Sequence, residues 1–292
     1  TGRAAFTRAW ARRRCGVVDG RARLFDALLG ILARSGHLVL EGDLVRPGPA
    51  PAADDPRAAR QRLAAELPAA VPFLDLLAAT LGGLVPVLTG RRSAMEVLFP
   101  GGKADLVEAV YRGNPLAEEL NRRLAARIGG LAAAHRCDAP LRVLEVGGGT
   151  GGATRAALSA LSAWGGPAAY CFTDVARAFV DAAPRGLAPG AGAVAFEARL
   201  FDIEAPPPPE VAALGPFDVV IASNVLHATR RVATTLQRLH GVMAPGGALV
   251  LNEVVSVQDF ATLTCGLTDG WWAFEDAEDR LADAPVLSVD GW

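Results

Sequence analysis

The sequence predicts an α/β protein in which a parallel sheet follows a mainly helical N-terminal region. After Cys137, aliphatic runs such as LRVLEV and FDVVIASNV alternate with helical segments such as GGATRAALSALSAW. Strands that alternate with helices of this length form parallel sheets with helices on both faces. Before Cys137 the apolar residues recur at helical spacing, as at Leu24, Leu28 and Leu32,. We therefore predict a helical region over residues 1–136 and a sheet domain over residues 137–292.

The N-terminal region is predicted to consist of helices interrupted by one hairpin and one loop. The segment RLFDALLGILARSG forms a helix with leucines on one face, and GHLVLEGDLVRPG forms two short strands around a Gly-Asp turn,. Composition predicts a loop at residues 47–56, after which LAAELPAAVPFLDLLAATLGGLVPVLTG resumes helical packing with proline breaks,. Two more helices are expected from about Ala104 to Tyr111 and from about Pro115 to Ala134, the second with Asn114 as N-cap,.

Composition excludes several classes of protein. The 292 residues are 51% hydrophobic with a formal net charge of −2, which predicts a globular chain and indicates no nucleic-acid partner,. We find no apolar stretch long enough to cross a bilayer, so no membrane association is expected. The four cysteines form no CxxC pair, which predicts neither a metal site nor a disulfide framework and favours a cytoplasmic location,. Without an initial Met or a secretory signal, the chain is expected to be a piece of a longer polypeptide, truncated at its C-terminus,.

The carboxyl ends of the predicted strands are where a ligand is expected. In open parallel sheets, ligands bind beyond these strand ends. The residues at these positions are polar or glycine, and they are Gly147 and those after it, Asp174, Asp202, Asn224 to His227, and Asn252 with Glu253. This edge of the sheet is therefore the predicted functional site.

The stretch LEVGGGTGGAT places five glycines within six positions directly after an aliphatic strand. Glycines there permit a tight turn into a helix and expose backbone N–H groups to a ligand. The GxGxxG spacing of Gly147, Gly149 and Gly152 suits either a dinucleotide or S-adenosylmethionine,. Glu145 near the end of the first strand and Asp202 after the third favour S-adenosylmethionine, Asp202 as a partner of the adenine amino group. Asp174 suits both cofactors as an acceptor for ribose hydroxyls.

Several motifs occur together in one order: MEVLFPGG, AVYRGNPLAEELN, LEVGGGTGGAT, FTDV, FDVVIASNVLHATR, APGGALVLNEV and GLTDGWWAFED. In this combination the sequence resembles the C-methyltransferase domains embedded in modular polyketide synthases, over about residues 90–292. The resemblance implies a Rossmann-like sheet of the S-adenosylmethionine-dependent methyltransferases. Two positions depart from the family's pattern: Gly148 stands where Ala is common, and Ala176 where Ser often follows the aspartate.

The resemblance also implies a substrate and partners. The acceptor would be a β-ketoacyl chain held as a thioester on the phosphopantetheine arm of an acyl carrier protein, methylated at the carbon between its two carbonyls. Neighbouring synthase domains would belong to the same longer polypeptide. No metal is needed, since the reaction requires only a base and a methyl donor.

Histidine suits the role of base because its side chain titrates near neutral pH. His227 follows the strand VVIAS, and Glu253 closes VLNEV, so both are expected at the ligand edge of the sheet. A carboxylate there would orient the imidazole ring and raise its basicity. In the resembled family a His and a Glu at these motif positions form the catalytic dyad, which assigns His227 as base and Glu253 as its orienting partner.

The remaining candidate residues are predicted to bind the cofactor or the substrate. The predicted cofactor-binding residues are Glu145, Gly147, Gly149, Thr150, Gly151, Asp174, Val175, Phe201, Asp202, Asn224 and Val225. The predicted substrate-binding residues are Tyr111, Asn121, Asn224, Trp271 and Trp272. The segment with the two tryptophans is interpreted as a lid over the acyl chain or the pantetheine arm, with ordinary packing as the alternative.

Three rival interpretations remain open from the sequence. An O-methyltransferase domain of a similar assembly line would use the same cofactor and also needs a base. A catalytically silent domain is disfavoured by the intact glycines, His227 and Glu253. A winged-helix DNA-binding protein is suggested by the helix before HLVLEGDLVR, but no basic recognition helix precedes that hairpin,.

Overall fold

The computed structural model describes residues 5–49, 55–111, 114–135 and 139–292. Within these ranges the strands are β1 (Phe6–Thr7), β2 (Leu38–Glu41), β3 (Leu44–Pro47), β4 (Leu141–Val146), β5 (Ala168–Asp174), β6 (Ala195–Leu200), β7 (Phe217–Ser223) and β8 (Met243–Asn252). The α-helices are α1 (Arg8–Arg14), α2 (Ala22–Arg34), α3 (Pro56–Glu66), α4 (Val71–Leu88), α5 (Ala94–Leu98), α6 (Asp105–Tyr111), α7 (Pro115–Ala134), α8 (Gly152–Trp164), α9 (Arg177–Gly186), α10 (Pro209–Ala212), α11 (Val232–Val242) and α12 (Asp259–Leu263). Short 3-10 helices lie at Asp19–Arg21, Pro68–Ala70, Pro100–Gly102, Ala188–Gly190, Leu226–Ala228, Cys265–Leu267, Gly270–Trp272 and Ala277–Asp279.

The large sheet is parallel throughout, with strand order β6-β5-β4-β7-β8. The central strand β4 pairs with β5 on one side and β7 on the other, so that Leu144 lies opposite both Cys171 and Val220. Helices follow the strands as the alternating sequence pattern predicts, and both faces of β4 are buried, as expected for a sheet covered on two sides,. The predicted Rossmann-like α/β fold is confirmed.

The chain divides into two compact units, Pro115–Val254 and Thr1–Asn114 together with Val255–Trp292. This division differs from the predicted boundary at residues 136 and 137. Helix α7 belongs to the sheet unit because Leu124, Ile128 and Ala132 join the core formed by α8 and the sheet. The sequence placed α7 with the N-terminal helices because its helical pattern continues theirs.

The C-terminal segment belongs to the first unit, although the sequence assigned it to the sheet domain. Its Trp272 and Phe274 lie in one apolar cluster with Leu24 and Phe25 of α2. The Arg23 guanidinium donates hydrogen bonds to the carbonyls of Trp272 (2.5 Å) and Phe274 (2.8 Å). It also lies 4.5 Å from the centre of the Phe274 ring, a cation–π geometry,. These contacts hold the segment of Trp272 and Phe274 against α2.

Trp272 is part of this core rather than the surface of a lid. Its side chain is 7% exposed, and its indole Nε1 donates a 2.6 Å hydrogen bond to the Gly266 carbonyl. A side chain enclosed in this way is unavailable to a substrate, so the predicted substrate role of Trp272 is replaced by a packing role. Trp271 is half-buried against the same cluster, and its substrate role stays a prediction.

Because Trp272 fills this core, Trp272→Ala is expected to lower the free energy of unfolding by about 3–5 kcal/mol. Val289→Ala is the matched control, since the Val289 side chain is 71% exposed. Urea denaturation of both variants checks the prediction. Equal midpoints for Trp272→Ala and the wild-type chain would show that the indole is not packed in the core.

Helix α4 is more apolar than predicted. Together with the preceding 3-10 helix it forms Pro68–Leu88, which is long and apolar enough to cross a membrane, with a mean hydropathy of 1.9. The expectation that no such stretch exists was therefore wrong. In this unit Leu76, Val87 and Leu88 each join an apolar cluster, and Asp75 forms an ion pair with Arg60.

Candidate active site

The glycine loop connects the central strand β4 to helix α8. Gly147, Gly149 and Gly151 have φ values of 62°, 53° and 78°, a region that side chains disfavour,. A Cβ atom on Gly147 would lie 2.3 Å from Cγ2 of Val225, and one on Gly151 would lie 2.6 Å from Cδ2 of Leu187. Both backbone conformation and space therefore require glycine at positions 147 and 151. The loop lies at the carboxyl end of the sheet, as predicted.

Asp174, the last residue of β5, fastens the glycine loop to the neighbouring strand. Its Oδ2 accepts a 2.9 Å hydrogen bond from Gly149 N–H, and its Oδ1 accepts one of 2.8 Å from Ala176 N–H. Carboxylate oxygens have further lone pairs, so Asp174 retains the capacity to accept ribose hydroxyls. Glycines without side chains beside such a carboxylate fit a bound S-adenosyl group.

The carboxyl end of β6 lies next to that of β5. Phe201 and Asp202 follow β6, and Phe201 N–H donates a 3.1 Å hydrogen bond to the Asp174 carbonyl. Phe201 is 4% exposed, whereas Asp202 is exposed and its Oδ1 accepts a 2.9 Å hydrogen bond from Glu204 N–H. Thr150 and Val175 are exposed, and Val225 is half-buried. The structure thus aligns three of the predicted strand ends on one edge, while individual cofactor contacts stay predictions.

Glu145 is buried rather than directed at the ligand edge. Its side chain is 1% exposed, and its Oε2 accepts hydrogen bonds from Thr154 Oγ1 at 2.6 Å and from the Tyr170 hydroxyl at 2.8 Å. Burial raises the pKa of Glu145 to about 7,. The interpretation of Glu145 as a cofactor contact is corrected, because its carboxyl group is enclosed by interior side chains.

His227 and Glu253 form a buried hydrogen-bonded pair. His227 Nδ1 lies 2.6 Å from Glu253 Oε2, and the two side chains are 6% and 2% exposed. Glu253 Oε1 also accepts hydrogen bonds of 2.9 Å each from the backbone N–H groups of Val225 and Leu226. A carboxylate that accepts two backbone N–H groups acts as acceptor toward the ring as well, so Nδ1 donates to it. The proton of the neutral ring then lies on Nδ1, and Nε2 is the nitrogen that can take up a proton.

Asn224 shapes the loop that carries His227. It has φ of 52°, an uncommon conformation outside glycine, and its N–H donates a 2.8 Å hydrogen bond to the Asn252 carbonyl,. Its side-chain Oδ1 accepts a 3.0 Å hydrogen bond from Val254 N–H. Asn252 Nδ2 in turn donates to Ser223 Oγ at 3.0 Å. These bonds join the end of β7 to the segment with Glu253, and a substrate or cofactor contact of Asn224 stays a prediction.

Asn121 and Tyr111, predicted to bind substrate, belong to different units. Asn121 lies on α7, with its Nδ2 3.6 Å from where a Cβ atom on Gly152 would be, so it borders the start of α8. Tyr111 ends α6 and is 55% exposed. Their substrate roles stay predictions.

Sequence reasoning missed Thr154 and Tyr170, the partners of the Glu145 carboxyl group. One signal was available. Tyr170 is one of two tyrosines in the chain and stands inside the aliphatic strand AAYCFTD, where a buried hydroxyl needs a partner,.

A parallel sheet of this order, with a bare glycine loop after its central strand and acids at the adjacent strand ends, fits the class of S-adenosylmethionine-dependent methyltransferases. A family model described as "Methyltransferase domain" matches residues 144–249. The chain is 36% identical to the structure described as DszA carbon methyltransferase, with a TM-score of 0.87, covering all of this chain and 75% of that one. The CurJ carbon methyltransferase structure gives 30% identity, a TM-score of 0.88 and coverage of 100% and 76%.

Among curated proteins, polyketide synthase ThaQ of Burkholderia thailandensis is 38% identical over 301 residues, which are 94% of this chain and 14% of that protein. The chain belongs to the carbon methyltransferase domains of polyketide synthases, and it is an S-adenosylmethionine-dependent methyltransferase. The oxygen-methylating alternative is not favoured. The chain spans only a small part of the curated synthases that it matches.

Proposed function

We propose that this domain methylates the α-carbon of a β-ketoacyl chain, held as a thioester on the phosphopantetheine arm of an acyl carrier protein. The observation that carries the proposal is the His227–Glu253 pair, with 2.6 Å between Nδ1 and Oε2. A base held in one tautomer next to a methyl-donor loop suits an acceptor that must first lose a proton. A carbon between two carbonyls is such an acceptor.

In the proposed reaction, His227 Nε2 removes one α-proton from the β-ketoacyl thioester. The electron pair of the broken C–H bond enters the enolate, and the proton stays on the ring. The Glu253 carboxylate, already bonded to Nδ1–H, stabilises the imidazolium that forms,. S-adenosylmethionine, when bound, supplies a methyl group on a positively charged sulfur. The enolate carbon would take this methyl group as the methyl–sulfur bond breaks, the electron pair of that bond would stay on the sulfur of S-adenosylhomocysteine, and His227 later releases its proton to solvent.

Several further assignments belong to this proposal. Tyr111, Asn121, Asn224 and Trp271 are the residues proposed to bind the substrate. The cofactor would contact the glycine loop, Asp174 and Asp202. The similarity to polyketide synthases supports neighbouring synthase domains as partners and a cytoplasmic location.

Intact-mass spectrometry of carrier proteins tests the choice of acceptor. A β-ketoacyl carrier protein incubated with this domain and S-adenosylmethionine is expected to gain one methyl group, located on the α-carbon by fragmentation. The matched controls are a β-hydroxyacyl carrier protein and an α,α-dimethyl-β-ketoacyl carrier protein, and neither is expected to gain mass. Methylation of the β-hydroxyacyl chain alone would contradict the proposal and indicate an oxygen acceptor.

A further inference from the structure

Three polar side chains beneath the glycine loop form a buried cluster that we call the Glu145 cluster: Glu145 on β4, Thr154 on α8 and Tyr170 on β5. We infer that Glu145 is a positioning residue for the cofactor loop, acting through Thr154 and Tyr170 and touching neither cofactor nor substrate. The three side chains come from the three elements that surround the loop. The inference concerns the shape of the loop and does not depend on which acceptor is methylated.

The hydrogen bonds of the cluster are short and shielded from water. Both Thr154 Oγ1 and the Tyr170 hydroxyl donate to the same oxygen, Oε2 of Glu145, at 2.6 Å and 2.8 Å. Thr154 is fully buried and Tyr170 is 1% exposed. A buried carboxyl group left without partners is costly, and both donors to Oε2 remove part of that cost. The cluster therefore resists separation of its three elements.

Thr154 fixes the start of the helix that follows the loop. It is the third residue of α8, which begins directly after Gly151. By holding Thr154, Glu145 sets the distance between the end of β4 and the first turn of α8. The loop of residues 147–151 spans that distance, and its backbone N–H groups are the groups offered to the cofactor.

The other side of the loop is attached to β5 through the backbone. Thr173 Oγ1 donates a 2.7 Å hydrogen bond to the Glu145 carbonyl, and Gly148 N–H donates one of 3.0 Å to the Thr173 carbonyl. Asp174 accepts from Gly149 N–H. Tyr170 also lies on β5, so the loop and β4 are bonded to this strand at Tyr170 as well as at Thr173 and Asp174. The loop is therefore fixed between α8 and β5 from beneath.

Binding of S-adenosylhomocysteine, measured by calorimetry, tests the positioning role without requiring turnover. Thr154→Val and Tyr170→Phe each remove one donor while nearly keeping the side-chain volume, and each is expected to weaken binding by about tenfold. Thr235→Val is the matched control, because Thr235 is also buried in the sheet unit and its Oγ1 donates to the carbonyl of Arg231, the residue before α11. The control is expected to bind as the wild-type chain does.

A double variant separates positioning from direct contact. If Glu145 acts through its two donors, Tyr170→Phe in the Glu145→Leu background, where no acceptor remains, weakens binding less than it does alone. Unchanged affinity in both Thr154→Val and Tyr170→Phe would overturn the inference. A loss of thermal stability without a loss of affinity would overturn it too, because the cluster would then serve stability alone. Weak binding by Glu145→Gln with full affinity in those two variants would indicate direct cofactor contact and overturn it as well.

The pH dependence of stability gives a second readout on the same cluster. Burial raises the pKa of Glu145 from the usual 4.5, the hydrogen bonds from Thr154 and Tyr170 lower it, the charge of Asp174 raises it and Arg155 lowers it, and together they bring it to about 7. Because the pKa is higher in the folded state, the neutral carboxyl is favoured on folding, and this contribution is lost as the pH rises from about 4.5 to about 7,. Thermal unfolding is expected to show this loss in the wild-type chain and not in Glu145→Gln. Identical pH profiles would show that Glu145 is not enclosed and would overturn the inference.

Discussion

His227→Ala is expected to lower kcat for carbon methylation by about 10²–10⁴-fold, the usual contribution of a positioned general base. The α-proton must leave before the carbon can accept a methyl group, and alanine offers no group to take it. Affinity for S-adenosylhomocysteine is expected to stay unchanged, because the glycine loop and Asp174 are untouched. His240→Ala is the matched control, since His240 is exposed on α11.

Glu253→Gln is also expected to lower activity, because it impairs the removal of the α-proton by His227. A glutamine oxygen can still accept the backbone N–H groups of Val225 and Leu226, which leaves the amide NH₂ facing His227 Nδ1. Two donors cannot bond, so the ring changes tautomer and Nε2 carries the proton. The double variant His227→Ala/Glu253→Gln is expected to be no slower than His227→Ala alone, because both substitutions disable the same step, the removal of the α-proton. Single-turnover kinetics check this, and an additive loss would show that Glu253 acts independently of His227.

Gly147→Ala is expected to remove most cofactor affinity. The substitution places a Cβ atom 2.3 Å from Cγ2 of Val225, at a backbone φ of 62°. The left-handed conformation costs about 1–2 kcal/mol and overpacking about 1–3 kcal/mol more. Val225 adjoins the segment with His227, so relief of the clash shifts both the donor loop and the base. Calorimetry with S-adenosylhomocysteine measures the loss.

Gly165→Ala separates the clash from the backbone cost. Gly165 has φ of 75° at the end of α8, and a Cβ atom there would meet no neighbour within 4 Å. This variant is expected to lose some stability while binding the cofactor normally. Equal affinity in Gly147→Ala and Gly165→Ala would contradict the role assigned to the crowded loop.

Much of the sheet unit could be predicted from local sequence. Aliphatic strands alternating with helices indicate the parallel sheet, and because ligands bind at the carboxyl ends of such strands, Gly147, Asp174 and His227 are predicted site residues. The His227–Glu253 pairing was predicted because β7 and β8 are adjacent in such a sheet, and the structure brings the two side chains together. The sheet and the residues at its strand ends follow from the order of strands and helices along the chain, which can be read from the sequence.

The orientation of Glu145 could not be predicted in the same way. In a strand buried on both faces, alternation does not tell whether a side chain points to the ligand edge or to a covering helix. The partners Thr154 and Tyr170 are 9 and 25 positions away. Only the packing of α8 and β5 brings them to one oxygen atom.

The division into units depends on long-range packing for a similar reason. Trp272 stands among glycine and acidic residues, a composition typical of an exposed segment, yet its indole packs with Leu24 and Phe25. The contact joins residues about 250 positions apart, as the Arg23 bonds to the Trp272 and Phe274 carbonyls also do, at separations of 249 and 251. Helical periodicity carries no information about such pairs.

The exchange of α-protons for deuterium tests the central claim most directly. A β-ketoacyl carrier protein in deuterated buffer, with this domain and S-adenosylhomocysteine, reports proton removal without methyl transfer. The proposed base predicts deuterium uptake well above the rate in buffer alone with the wild-type and His240→Ala chains, and uptake at the buffer rate with His227→Ala. Equal uptake by the wild-type chain and His227→Ala would show that another group removes the proton, and would contradict the assignment of His227.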